Sequence, residues 1–375
     1  MKRIALIRNS YSFDVGGAEI FPINLAKILA LNDYQPFILS ANKTTREMAK
    51  NENLSTLRSP WWSFQNISGL YILIFPVYLI WIIALTAWYI GYFLKNRIDI
   101  VHPQSRDDFI SATFAAKLLQ KRVVWSDHAD LKYIYMNHRT WYKNPVGKLV
   151  YLAGKLADHI AIESFSEKKL IEESLGKQLP TNYSVIHIGV IDRYKSVKRN
   201  DDKLTLVSTS RLVGAKGIGE LIEAMKLVDN KNVVLKICGN GPEADRFKTM
   251  AKDLKNIEFL GQVTDVNEVL NISDILIHPS YHEGFGLSLV EAEMCGLPII
   301  ACSVGSVPEI VKDRVSGILV PPKSSKDLAR AINQLVDNPK LRADMGKAGR
   351  QLYLENFQLD KIVKENIIPL YNEAA

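Results

Sequence analysis

The chain has 375 residues, 47% apolar and 23% charged, which are the values of a globular protein with room for two domains of ordinary size. Its three cysteines, Cys238, Cys295 and Cys302, lie in apolar stretches without metal-ligand spacing and read as buried thiols of a reducing compartment. The net charge of +7 sits in one half: residues 1–190 hold 22 Lys and Arg against 15 Asp and Glu, while residues 191–375 hold 25 of each.

Taken in order, the N-terminal MKRIALIRNS has too short an apolar run for a secretory signal. Short β-branched runs at 3–8 and 36–39 flank a helical pattern at 17–31. Further runs at 98–102, 121–126, 159–162 and 183–188 predict buried strands. After the polar stretch DRYKSVKRNDDK (192–203), which reads as a linker, the pattern restarts at 204–210, 233–238, 257–261, 274–280 and 298–303. Strands alternating with helices predict parallel sheets covered on both faces. The restart predicts two doubly wound α/β domains facing a central cleft, with ligands beyond the carboxyl ends of the strands.

Residues 67–94 interrupt this regularity with twenty-eight positions free of Lys, Arg, Asp, Glu and His. As a helix the run is about 42 Å long, against a hydrocarbon core of about 30 Å. A single crossing would separate residues 1–66 from 95–190, which must share one sheet, and two crossings of about fourteen residues each are too short. The run is therefore expected to lie in the interface or dip into one leaflet. Pro76 would kink it, Trp61, Trp62, Trp81 and Trp88 would sit at headgroup level, and Asp at Ile82, Ile83 and Leu85 would release it. The competing expectation is a helix buried inside the N-terminal domain.

Three stretches carry chemistry. In HPSYHEGFGLSLVEAEMCGLPIIA (278–301) a strand ends near Pro279, and a glycine-bearing loop leads into a helix from about Leu287. The N–H groups of Gly286, Leu287 and Ser288 would be open helix-start donors suited to a diphosphate. Glu283 precedes this start and can face the cleft, and Glu291, about one turn in, is also readable as a solvated helix residue. In STSRLVGAKGIGELIEAM (208–225), Arg211 and Lys216 follow a strand and precede a helix, an arrangement for gripping phosphate. ICGNGPE (237–243) is a third strand–glycine–helix turn.

With Glu283 and Glu291 in an E-x7-E spacing, SRLVGAKG, GNGPE, SVGSVPEIV (303–311), GGAE (16–19) and WSDHADL (125–131), the chain resembles the retaining, nucleotide-sugar-dependent glycosyltransferases of family 4, with the GT-B fold. The resemblance implies that Arg211 and Lys216 neutralise the leaving diphosphate, Glu291 holds the ribose hydroxyls and Glu283 meets the donor sugar. Gly16 and Gly17 would let the first loop approach the diphosphate. Gly239, Gly241, Gly284, Phe285, Gly286 and Leu287 would complete the donor site, and His128 would lie near the transferred sugar. It further implies domains at 1–190 and 191–357, with 358–375 a helix crossing back to the first. The family's Asn–Gly turn near the linker is Ile188–Gly189 here.

The sequence contains no D-x-D, so the expected reaction needs no metal or other cofactor, with charge on the leaving group met by cations and a helix start. No G-x-G-x-x-G opens the first helix, which argues against a nicotinamide enzyme. Nucleic acid is not an expected partner. The basic half beside an apolar run points to a lipid-linked acceptor at the cytoplasmic face of the cell membrane. Lys132, Arg139, Lys143 and Lys148, set among aromatics, are candidates for its phosphate. A soluble transferase making a small glycoside, an epimerase or phosphorylase of the same fold, and a non-enzymatic binder are the alternatives.

Overall fold

The computed structural model describes residues 1–9, 17–60, 71–128, 131–135, 144–195, 203–230 and 232–373. They form two compact units, Met1–His187 with Asp360–Ala375, and Ile188–Leu359.

The first unit runs β1 (Lys2–Ile7), α1 (Gly17–Ala30), β2 (Tyr34–Leu39), α2 (Lys43–Asn51), β3 (Ser55–Leu57), α3 (Tyr71–Lys95), β4 (Ile100–Pro103), α4 (Arg106–Leu118), β5 (Arg122–Asp127), α5 (Leu131–Tyr135), α6 (Pro145–Gly154), β6 (His159–Ile162), α7 (Phe165–Leu175) and β7 (Tyr183–Val185). Its seven strands are parallel in the order β3-β2-β1-β4-β5-β6-β7, so the winding reverses between β1 and β4. Central strands such as β4, buried along their whole length, need helices on both faces, and the near-continuous apolar runs record that.

The second unit runs β8 (Leu204–Thr209), α8 (Ile218–Met225), β9 (Val233–Cys238), α9 (Ala244–Met250), β10 (Ile257–Gly261), α10 (Val266–Asn271), β11 (Ile275–His278), α11 (Leu287–Met294), β12 (Ile299–Cys302), α12 (Val307–Ile310), β13 (Gly317–Val320), α13 (Ser325–Val336) and α14 (Pro339–Asn356). Six parallel strands take the order β10-β9-β8-β11-β12-β13 and reverse between β8 and β11. Two Rossmann-like α/β units are what the alternation predicts. The edge strands β3 and β13 are absent from the sequence reading, and β7 stops three residues before the expected end.

The chain leaves the first unit at 187/188 and returns at 359/360, not at 190/191 and 357/358. Pairing between the two crossing segments explains the difference. Val190 bridges Gln358, its N–H reaches Phe357 O (3.1 Å), and its carbonyl accepts from Leu359 N–H (3.1 Å) and Tyr353 Oη–H (3.0 Å). The expected linker also begins as fixed structure. Arg350 binds both carboxylate oxygens of Asp192 (3.0 and 2.6 Å), and Asn271 Oδ1 accepts from Lys195 N–H (2.8 Å). Residues 196–202 lie outside the described set.

The returning segment is not one helix. α15 (Leu359–Ile362) passes through a π-helical turn (Val363–Ile367) into α16 (Ile368–Asn372). Pro369 supplies no N–H to the ladder, which accounts for the widened turn before it. Tyr371 Oη lies 2.6 Å from His102 Nδ1, and Ser126 Oγ lies 2.8 Å from the other ring nitrogen. Burial drives the His102 pKa down to about 3, so the ring is neutral.

α3 meets the buried-helix expectation on one face only and leaves the other face exposed. Tyr78, Ile82, Leu85, Tyr89 and Phe93, at helical spacing, are buried in the core of the first unit, and Tyr89 Oη donates to Asp108 (2.8 Å). Each such side chain contributes about 1.5–3 kcal/mol. The opposite face, with Val77, Ile80, Ile83 and Leu94, is exposed. Ile82 and Leu85 therefore cannot be lipid-facing, whereas Ile83, at 69% exposure, is on the outer ridge. Trp61 and Trp62 lie outside the described residues.

Candidate functional site

In the second unit the predicted residues gather at the β8/β11 reversal, where open α/β sheets leave a crevice. After β8 the chain makes a short 3-10 turn, Gly214–Lys216, docked by Tyr281 N–H on Ala215 O (2.8 Å). This brings the loops after β8 and β11 together. Lys216 Nζ lies 2.8 Å from Glu283 Oε2, and His278 Nε2 lies 2.7 Å from the same oxygen. Burial opposes ionisation of Glu283, but the hydrogen bond and charge of His278, joined by Lys216, outweigh it and bring its pKa to about 2. Arg211 is exposed and makes no side-chain hydrogen bond or ion pair among the described residues. The two predicted cations thus differ: one is already committed to a carboxylate.

α11 starts as expected. Gly286 has φ +94°, a conformation that side-chain-bearing residues rarely adopt. Leu289 N–H closes the first turn on Gly286 O (2.9 Å), leaving the N–H groups of Leu287 and Ser288 at the open end. Gly284 stands just before this turn, half-buried. Phe285 points its ring into the core, edge-on to Phe357 at 6.3 Å, so only its backbone can serve a ligand. Gly239 and Gly241 have a packing reason of their own. A Cβ on Gly239 would lie 1.9 Å from Ser210 O, and one on Gly241 2.4 Å from Leu212 O.

Three hydroxyls lie at or just beyond the ends of β8 and β11. Thr209 Oγ1, Ser210 Oγ and Ser280 Oγ are buried without a hydrogen-bond partner. Buried polar atoms are rarely left without a partner, so each of these hydroxyls has an open hydrogen-bonding position. Glu291, half-buried on α11, has its pKa raised to about 7 by burial, opposed by Arg193 and reinforced by Asp265. Arg193 and Asp265, 3.7 Å apart, line a cavity of about 490 Å³ between residues 192–195 and α10. Glu293, two residues on, is fully buried. Its pKa is raised to about 8, and it accepts from Ser316 Oγ–H (3.0 Å).

In the first unit His128 follows β5, with Nδ1 2.6 Å from Glu163 Oε1 at the end of β6 and the Phe21 ring edge-on at 5.2 Å. Gly17 is the first residue of α1, and Gly16 lies outside the described residues. At the β1/β4 reversal Arg8 pairs with buried Glu19 (3.1 Å), and both amide atoms of Gln104, 1% exposed, have no partner. Lys132 is paired with buried Glu167 (2.8 Å). Arg139 and Lys143 lie outside the described residues, and Lys148 is half-buried on α6.

Sequence reasoning missed His278, Glu163, Arg8 and Gln104. Each directly follows or ends a strand, which is the one signal that could have found them.

The model of the family described as Glycosyltransferase Family 4 matches residues 15–193, and that of Glycosyl transferases group 1 matches residues 191–352. An uncharacterized glycosyltransferase of Methanocaldococcus jannaschii is 29% identical, with 97% of each chain covered. An N,N'-diacetylbacillosaminyl-diphospho-undecaprenol alpha-1,3-N-acetylgalactosaminyltransferase of Campylobacter jejuni is 27% identical over 46% of this chain and 45% of its own. The solved structure of Anabaena HepE in complex with UDP superposes with a TM-score of 0.80 over the whole of both chains at 20% identity, a likeness of fold.

Proposed function

This chain belongs to the family 4 glycosyltransferases, and on that premise we propose that it moves a sugar, with retention, from a nucleotide-sugar to a lipid-linked acceptor at the cytoplasmic face of the cell membrane, in cell-envelope glycan synthesis. The observation that carries the donor half is the convergence of Lys216, Glu283 and the open start of α11 on the β8/β11 reversal, beside three unpartnered hydroxyls. Lys216 and Arg211 neutralise the leaving diphosphate, Glu283 meets the sugar and Glu291 the ribose. Electrostatic stabilisation of this kind needs no metal ion.

Two observations support a lipid-linked acceptor. The exposed ridge of α3 is apolar and closes on Lys95 and Arg97, in the half of the chain that carries the whole charge excess. One relative is named for a diphospho-undecaprenol substrate. Acceptor binding falls to the first unit, where His128 and the unpartnered amide of Gln104 lie.

The test has two arms. Nucleotide-sugars with uracil, guanine and adenine bases are screened by thermal shift, since a bound donor stabilises the fold by mass action. The donor so found is then offered with polyprenyl-diphosphate glycan in anionic vesicles and with a short water-soluble analogue. Transfer to the lipid form, unchanged by EDTA, is expected. Ile80→Asp with Ile83→Asp should move the folded protein from vesicles to the supernatant. Equal partition of both proteins, with equal use of both acceptors, would favour the soluble reading that the buried face of α3 allows.

A further inference from the structure

The geometry points to His278 as a positioning residue of the donor site, holding one oxygen of Glu283 so that the other faces the substrate while Lys216 changes partners. The inference rests on the donor-site reading above and deepens it.

His278 is the last residue of β11, at the point where the sheet order reverses. Its side chain is 4% exposed. Nε2 donates to Glu283 Oε2 at 2.7 Å, and Nδ1 faces Ser288 Oγ, in the first turn of α11, at 3.3 Å. The strand fixes the imidazole on one side and the helix start fixes it on the other. Such a ring has no freedom to follow a moving partner.

Lys216 Nζ bonds the same oxygen at 2.8 Å. Both donors converge on Oε2, and Oε1 accepts no hydrogen bond among the described residues. Without a donor bound, the phosphate-binding cation is therefore neutralised by the carboxylate that is to meet the sugar. When a diphosphate arrives, it competes with Glu283 for the ammonium. As Lys216 turns to the phosphate, the carboxylate loses one of its two bonds, and the bond from His278 is the one that remains. That bond keeps Oε2 in place and leaves Oε1 as the oxygen presented to a sugar hydroxyl.

Two consequences separate this role from plain structural support. Glu283→Gln releases Lys216 from a competing charge, so a nucleoside diphosphate should bind roughly 3- to 10-fold more tightly while turnover falls. His278→Leu has the opposite effect on binding. Glu283 then depends on Lys216 alone, holds it harder and loses its orientation. Diphosphate affinity should weaken roughly 3- to 10-fold, and kcat should fall roughly 10- to 100-fold, the scale of a misplaced catalytic group.

The experiment measures UDP, GDP and ADP affinity by calorimetry and steady-state transfer kinetics on the full chain. His278→Gln, whose amide nitrogen reaches the height of Nε2, should restore kcat to within roughly 5-fold of wild type. His278→Asn, whose amide stops at the height of Nδ1, should not. This glutamine–asparagine contrast also decides the matter should the leucine variant fail to fold. Equal kinetics for the glutamine and asparagine variants, or Glu283→Gln that weakens diphosphate binding, overturns the inference. Wild-type protein that binds no nucleotide and no nucleotide-sugar overturns the donor-site reading itself. Wild-type binding with an unaffected, folded His278→Leu overturns only the role of His278.

Discussion

Each unit carries a histidine–carboxylate pair at the carboxyl ends of its strands, and the two pairs are built differently. In the first, His128 Nδ1 meets Glu163 at 2.6 Å, with the Phe21 ring edge-on to the imidazole. In the second, His278 uses Nε2 to reach Glu283 at 2.7 Å, and an ammonium shares the same oxygen. The histidine of one pair and the carboxylate of the other are the members the family motif marks. The same two residue types thus stand in opposite arrangements: the motif residue is the histidine in the first pair and the carboxylate in the second. If Lys216 turns to a bound diphosphate, the second pair responds to an anionic ligand and the first does not.

The largest expected effect falls on that cation. Lys216→Ala should lower turnover by at least roughly 100-fold in a protein that stays folded, and Arg211→Ala, whose side chain has no partner to release, by roughly 100-fold or less. Near-wild-type kinetics in both would remove the distinction between the pairs. Next comes Glu163→Gln, which weakens the acceptor of the His128 Nδ1–H bond. Here kcat should drop roughly 10-fold while nucleotide-sugar affinity changes little, since Arg211, Lys216 and Glu291 lie in the other unit. A parallel loss of donor affinity would mean that the pairs are not separable.

A smaller effect reads the environment of α11. Glu291 has its pKa raised to about 7 by burial, so its ionised form, the better acceptor for ribose hydroxyls, appears only as pH rises through that value. Affinity for a nucleotide-sugar should strengthen roughly 3- to 10-fold from pH 6 to pH 8, and calorimetry on Glu291→Gln should show a flat profile. The smallest concerns stability. Glu293, raised from 4.5 to about 8, holds a proton in the folded state that the unfolded chain releases. It therefore costs stability progressively as pH rises from 4.5 to 8. Glu293→Gln should match wild type in thermal unfolding near pH 5 and exceed it at pH 8.5 by roughly 1–3 kcal/mol. A uniform shift at all pH values would contradict that assignment.

Much of the fold was legible because a buried parallel strand leaves a compact apolar signature: VVLKIC and HIAI were placed to the residue. The edge strands STL and GILV, three and four residues long, are too short for periodicity to register. The loops after β8 and β11 were legible because glycines, cations and acids stand at short offsets after strands. Glu163 and His278 were not, because a hydrogen-bond partner thirty-five residues away, or one fixed by a strand end, is chosen by tertiary approach. The burial pattern of 67–94 was not legible, for a different reason. Its core-facing positions do repeat at helical spacing, but the outer face is apolar too, so the contrast that reveals a packed helix was missing.

The second unit is a continuous stretch, Ile188–Leu359, inserted in a first unit whose last elements come from Asp360–Ala375. A ribosome finishing this chain therefore releases a complete second unit before the first can close. Until α15 and α16 emerge, the Nδ1 of His102, at the centre of the first sheet, lacks the hydroxyl of Tyr371, and Arg122 lacks Leu370 O and Glu373. The order of synthesis thus makes the first unit the last to mature. A message cut short before the codon for Asp360 yields a protein with a finished second unit and an unfinished first.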